Sequence, residues 1–111
     1  MRFSSIKGKK LGELTHDEMQ SHFTDHIFFR FMDRGREGMI SACRDAIDNY
    51  IDHYVERKVI KKDAISSEEY EQYVQDFTLK CMSDFITRGS IGIKEALFSY
   101  HIVIAQHKRF Q

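Results

Sequence analysis

The chain of 111 residues has no proline, only two cysteines, no surplus of charge of either sign and no apolar run of membrane-spanning length. Each shortage excludes something. Without proline, no position lacks a backbone donor or carries a ring that breaks a helix, so helical stretches are free to run long. Cys43 and Cys81 are too few for a disulfide framework and lack the paired spacing of a zinc site. Each falls on the apolar stripe of its own predicted helix, where a thiol behaves as a small hydrophobe. Two buried thiols in a reducing cytoplasm are therefore expected, with a disulfide between facing helices as the alternative. Seventeen basic residues against seventeen acidic ones leave a formal charge of zero. A dedicated nucleic-acid binder draws much of its affinity from neutralising phosphate with excess Lys and Arg, so the balance disfavours that class. Residues 1–10 have no apolar signal core and nothing reaches the length of a membrane span, which predicts a cytoplasmic protein with no membrane partner.

What is abundant is aromatic and aliphatic residues at helical spacing. Nine Phe and five Tyr bring the aromatic share to 13%, beside 41% hydrophobic and 31% charged residues, a composition suited to one folded domain. A chain of this length buries about two thirds of the surface its unfolded form exposes, enough for a core without staples. Tyr70, Tyr73, Val74, Phe77, Cys81 and Phe85 fall at i, i+3, i+4, i+7, i+11 and i+15, one side of a helix.

Comparable stripes organise the rest of residues 15–111 into a single helical domain behind a basic N-terminal arm, residues 1–14. Thr15 and Glu18 have the form of a capping box opening a helix over 16–33, whose stripe is Met19, Phe23, Ile27 and Phe31. Gly35 and Gly38 mark a break. A second helix over 38–60 carries Ile40, Cys43, Ile47, Tyr50 and Tyr54 on one side, with Ala42 and Ala46 permitting close approach. Ser66 and Glu69 form a second capping box ahead of a helix over 67–88, closed by Arg88 and Gly89. Ser90 N-caps a fourth helix over 91–108, with Ile93, Ala96, Leu97, Tyr100, Val103 and Ile104 on its main face. No strand signal, internal repeat or low-complexity segment is evident. The expected fold is all-α, a small four-helix bundle.

These stripes leave apolar residues over. Phe28, Phe29 and Met32 lie off the stripe of the first helix, Leu79, Met82 and Ile86 off that of the third, Phe98 and Ile102 off that of the fourth. A small monomer seldom exposes a large contiguous apolar patch. The set Phe28, Met32, Leu79, Met82, Ile86, Phe98 and Ile102 is accordingly the predicted partner-binding surface of a non-catalytic regulator or adaptor. Its partner is another protein or a second copy in a homodimer. The competing reading absorbs the same residues into non-parallel helix crossings.

Candidate chemistry is sparse. His22 and His26 are one helical turn apart, but neither two Glu-x-x-His motifs nor His-Glu-x-x-His is present, so no metal or other cofactor is assigned and a metal-binding bundle ranks third. Asp45, Asp48 and Asp52 form a row that reads as the solvated side of an amphipathic helix. Gly-x-Ser-x-Gly and a phosphate loop ending in Gly-Lys-Ser/Thr are both missing, so neither an enzyme nor a small-molecule substrate is expected. The second-ranked reading is a nucleic-acid-associated regulator using Arg2, Lys7, Lys9 and Lys10 of the arm with Lys58, Lys61 and Lys62 of the Arg57–Lys62 cluster.

Overall fold

A computed structural model describes residues 15–107, and every element in it is helical: α1 His16–Glu56, α2 Ser67–Arg88 and α3 Ser90–His107. The all-α class is as expected; the count of four helices is not. Residues 16–56 form one element whose only non-helical position is Gly35, at φ 63° and ψ −142°. A straight helix would hold His16 and His53 roughly 55 Å apart at 1.5 Å per residue. Their ring nitrogens are instead 3.2 Å apart, so α1 folds back on itself. The expected break at 33–38 is thus a one-residue corner within α1 and not a linker between two helices. The arm proposed for residues 1–14, with Arg2, Lys7, Lys9 and Lys10, lies outside the described residues.

Helix starts follow the local chemistry. Thr15 Oγ1 accepts from the Glu18 backbone N–H (3.2 Å) and Glu18 Oε1 accepts from the Thr15 N–H (3.0 Å), satisfying two donors that would otherwise be orphaned. Ser66 and Glu69 repeat this at 3.1 and 3.0 Å. The end of α1 departs from expectation: it stops at Glu56, short of Ile60. Lys58 adopts φ 60°, with its N–H on the Val55 carbonyl (3.0 Å) and the Val59 N–H on the Tyr54 carbonyl (2.8 Å). That is a Schellman closure with lysine at the position glycine usually occupies. It tucks Ile60 into the core.

The two halves of the chain repeat one design, contrary to the absence of repeats read from sequence. At a single constant offset, Phe23 and Thr24 answer to Phe77 and Thr78, Phe31 to Phe85, Arg34-Gly35 to Arg88-Gly89, Gly38 to Gly92 and Ala42 to Ala96. Both threonines bond back one turn, Thr24 to the Gln20 carbonyl (2.6 Å) and Thr78 to the Val74 carbonyl (2.7 Å). Gly89 turns the corner between α2 and α3 at φ 69° and ψ −149°, as Gly35 does within α1. A Cβ on Gly38 would sit 2.1 Å from the Arg30 carbonyl oxygen, and one on Gly92 2.1 Å from that of Asp84. The fold is therefore two helical hairpins, α1 and the α2–α3 pair. The repeat escapes a sequence reading because burial and corner geometry are what recur. Ile27 pairs with Cys81, Cys43 with Leu97 and Tyr50 with Ile104, all buried yet chemically unlike.

The hairpins pack arm against arm. The second arm of α1 runs antiparallel to α2, where Asp48 accepts from the Tyr70 hydroxyl (2.5 Å) and Arg44 pairs with Glu71 (2.6 Å). The first arm runs antiparallel to α3, where the Gln20 side chain donates to the Lys94 carbonyl (2.7 Å) and His16 meets His101. Exchanging the hairpins leaves this pattern unchanged, so the molecule has an approximate two-fold axis. Phe23, Phe77, Met19, Ile27, Met39, Ile47 and Leu97 fill the core between them, with Cys43 and Cys81 fully enclosed as free thiols.

Candidate partner-binding surface

The pseudo-two-fold axis passes close to a contact between equivalent residues, Phe31 and Phe85, whose ring centroids are 5.3 Å apart in an edge-on arrangement. Each phenylalanine lies one turn before its corner glycine, so this contact marks where the hairpins meet near their corners. Phe28 joins it at 5.8 Å from Phe85 and stacks edge-on against Phe29 at 5.3 Å. Met32 and Ile86, the next residues after Phe31 and Phe85, are 64% and 79% exposed, and Phe29 is 63% exposed. Apolar side chains this open beside a partly buried aromatic cluster are the chemistry of an interface centre.

The structure redistributes the seven residues picked from sequence. Phe28, Met32, Met82 and Ile86 are two equivalent pairs under the pseudo-symmetry, Phe28 with Met82 and Met32 with Ile86. Phe28 and Met82 are half-buried and packed on the core, so their share of any free surface is smaller than expected. Leu79 is exposed in a cleft of 330 Å³ with Arg36, Ile40 and Arg44. Phe98 lines a different cleft, of 640 Å³, with Gln20, Lys94 and Ile91. Ile102 is half-buried on α3. The off-stripe rule counted helix faces and had no means of knowing which helices cross where. It also passed over Phe29 and Ile91, both exposed here, and Val103, expected on the main face of the last helix, is exposed as well. Phe29 carried a usable signal, since it lies beside Phe28 off the main stripe.

Two polar groupings complete the inventory. At the end of α1 remote from Gly35, His16, His53 and His101 come together with Tyr54. Arg57 Nη1 lies 2.9 Å from His53 Nδ1. A guanidinium only donates, so Nδ1 accepts and the His53 proton sits on Nε2, which donates to His16 Nε2 at 3.2 Å. The Tyr54 hydroxyl bonds His101 Nδ1. Burial drives both His53 and His101 down to about 4, with the neighbouring Arg57, His16 and His101 adding to the effect at His53 and His16 at His101. His22 and His26 stack at 6.4 Å, and His26 Nε2 bonds Asp45 Oδ2 at 2.9 Å across the α1 hairpin. Among the described residues no group of three or more His, Cys, Asp or Glu side chains is arranged to hold a metal ion.

Of the aspartate row, Asp48 and Asp52 are exposed as expected, Asp48 accepting from Tyr70, while Asp45 is half-buried and engaged by His26. Asp48 and Asp52 line a cleft of 460 Å³ with Lys62, Ser67, Tyr70 and Glu71. Burial raises both carboxyls, while the Arg44 guanidinium holds Glu71 below its usual range. Tyr70 is pushed up to about 12 by burial and by its bond to Asp48. Lys58, Lys61 and Lys62 are exposed on the connection between α1 and α2. No helix of the described residues is long and apolar enough to cross a membrane. Comparison of the chain with models of known protein families, with curated proteins and with solved structures finds no match.

Proposed function

We propose that this protein is a non-catalytic regulator or adaptor of the cytoplasm that binds another protein through the apolar surface around Phe31 and Phe85. The observation that carries the reading is the exposure of Phe29, Met32 and Ile86 beside that half-buried aromatic contact. Burying a side chain of this size against a partner contributes about 1.5–3 kcal/mol, and aromatic and methionine side chains supply it at low rotamer cost or with adaptable shape. The surface lies on α1 and α2 and not on a loop, so it is presented without ordering cost.

Replacing Ile86 or Met32 by lysine tests this directly. Both side chains are largely in solvent, so unfolding free energy stays within about 0.5 kcal/mol of wild type while binding to the captured cellular partner falls more than tenfold. Partner binding unchanged in both variants would sink the assignment of the surface. Homodimerisation through the same patch is read by light scattering on the intact protein. A second reading rests on the exposed lysines of the α1–α2 connection: a nucleic-acid-associated regulator using Lys58, Lys61 and Lys62. It requires binding to DNA or RNA that weakens steeply with salt and loses slope when those lysines are replaced.

A further inference from the structure

The interface that closes the molecule is one hairpin against the other, and a single connection, residues 57–66, joins them. That connection contains neither glycine nor proline. Arg57, Lys58, Lys61, Lys62 and Ala64 within it are residues that favour helix. The chain nonetheless leaves the helix at Glu56, because Lys58 is held at φ 60°, a region that disfavours any residue with a Cβ. Returning Lys58 to helical geometry removes that strain and extends the second arm of α1 toward α2. The extension carries the α2–α3 hairpin away from its own α1. Against it stand the two Schellman hydrogen bonds and the burial of Ile60, only 1% exposed.

We propose that two copies of this chain form a hairpin-exchanged dimer, in which the α2–α3 hairpin of each packs on α1 of the other. The occupant of the exposed α1 face is then a second copy, since only a copy carries the matching set. That set includes Phe85 against Phe31, Glu71 against Arg44, and the Lys94 carbonyl against Gln20. The exchanged dimer keeps the contacts between hairpins and relaxes two Lys58 residues. It is opposed by the loss of the Schellman bonds and of the Ile60 seat in each hinge and by the entropy of association. With equal numbers of acidic and basic residues, two copies meet no net repulsion. This inference stands apart from the partner-binding reading, because it uses the inter-hairpin core face and not the Met32–Ile86 surface.

The test is made on the full chain refolded at high and low protein concentration, with monomer and dimer separated by size exclusion. Concentrated refolding yields dimer. Lys58→Gly, which relieves the strain in the closed form, weakens the dimer by roughly tenfold or more, and Lys58→Ala shifts the balance the other way. To identify the exchange, a variant with both Arg44→Cys and Glu71→Cys is bridged by a short bis-maleimide. Arg44 and Glu71 are 38% and 52% exposed, so these replacements leave the core intact. Monomer gives single chains bridged internally, and exchanged dimer gives chains bridged to each other on a denaturing gel. The proposal is overturned by any of three results: no dimer on concentrated refolding, a dimer bridged only within chains, or a dimer fraction insensitive to both Lys58 replacements.

Discussion

At the scale of single residues, the tightest constraints lie at the two hairpin corners. Gly38 and Gly92 allow the returning arm to approach a carbonyl so closely that even a methyl group would overlap it. Gly38→Ala and Gly92→Ala are each expected to destabilise the protein by about 2–3 kcal/mol, because the clash is with backbone and cannot be relieved by a rotamer change. Urea unfolding midpoints check this, and by the pseudo-symmetry the two losses should be similar. Tyr50 makes the opposite case. Its hydroxyl is buried and has no hydrogen-bond partner among the described residues, although the ring packs on His101 and Phe23. Tyr50→Phe keeps the packing and removes a desolvated group, so it is expected to be neutral or to stabilise by up to about 1 kcal/mol. A loss above that range would show that the hydroxyl is bonded after all.

At the scale of elements, the capping boxes at Thr15 and Ser66 were legible in sequence because capping is local: donor and acceptor lie three residues apart. Ser66→Ala should cost about 1 kcal/mol and lower the melting temperature by about 4 °C or more. Differential scanning calorimetry reads that shift. The end of α1 was not legible. Arg57 and Lys58 favour helix, yet the chain leaves it there, with Lys58 at φ 60° and Ile60 buried in the core. The corner at Gly35 was visible as a break, but a break does not say whether the chain continues or reverses. The Arg30 carbonyl against Gly38 settles that, and it is a contact across the corner.

At the scale of the whole molecule, the histidines link stability to pH. His53 and His101 have folded values near 4 against an ordinary 6.5, because burial disfavours their charged forms. Between those values the unfolded chain binds more protons than the folded one, so stability is complete above about pH 6.5 and declines as pH falls toward 4. Each histidine contributes on the order of 2–3 kcal/mol to that decline. Urea unfolding between pH 7.5 and 4.5 should show it. Replacing His101 by a neutral residue of similar size should flatten the slope even if stability at pH 7.5 falls. An unchanged slope would remove His101 from the account. The apolar surface also belongs to this scale, since Phe85 meets Phe28 and Phe31 only when the hairpins pack together.

The amino-acid order alone was enough for the all-helical class, the helix starts capped by Thr15 and Ser66 and most of the buried stripe, because spacing and capping act within a few residues. Ser90, expected as an N-cap, is instead the first residue of α3. Met19, Phe23, Ile27, Val74, Phe77 and Cys81 follow from a 3.6-residue period, whatever they pack against. Which off-stripe residues meet was decided only by the tertiary structure. Leu79 and Phe98 line separate clefts while Met32 and Ile86 directly follow the two residues of one inter-hairpin contact, a distinction the helical period does not make. The duplication is tertiary for the same reason. Packing selects burial and apolar character at each equivalent position, so Cys43 answers to Leu97 and Ile27 to Cys81 with neighbours making up the difference in size. Identity at equivalent positions survives at the corners, where Gly35 and Gly38 answer to Gly89 and Gly92 under a backbone constraint, and at a few packed positions such as Phe23 with Phe77, Phe31 with Phe85 and Ala42 with Ala96.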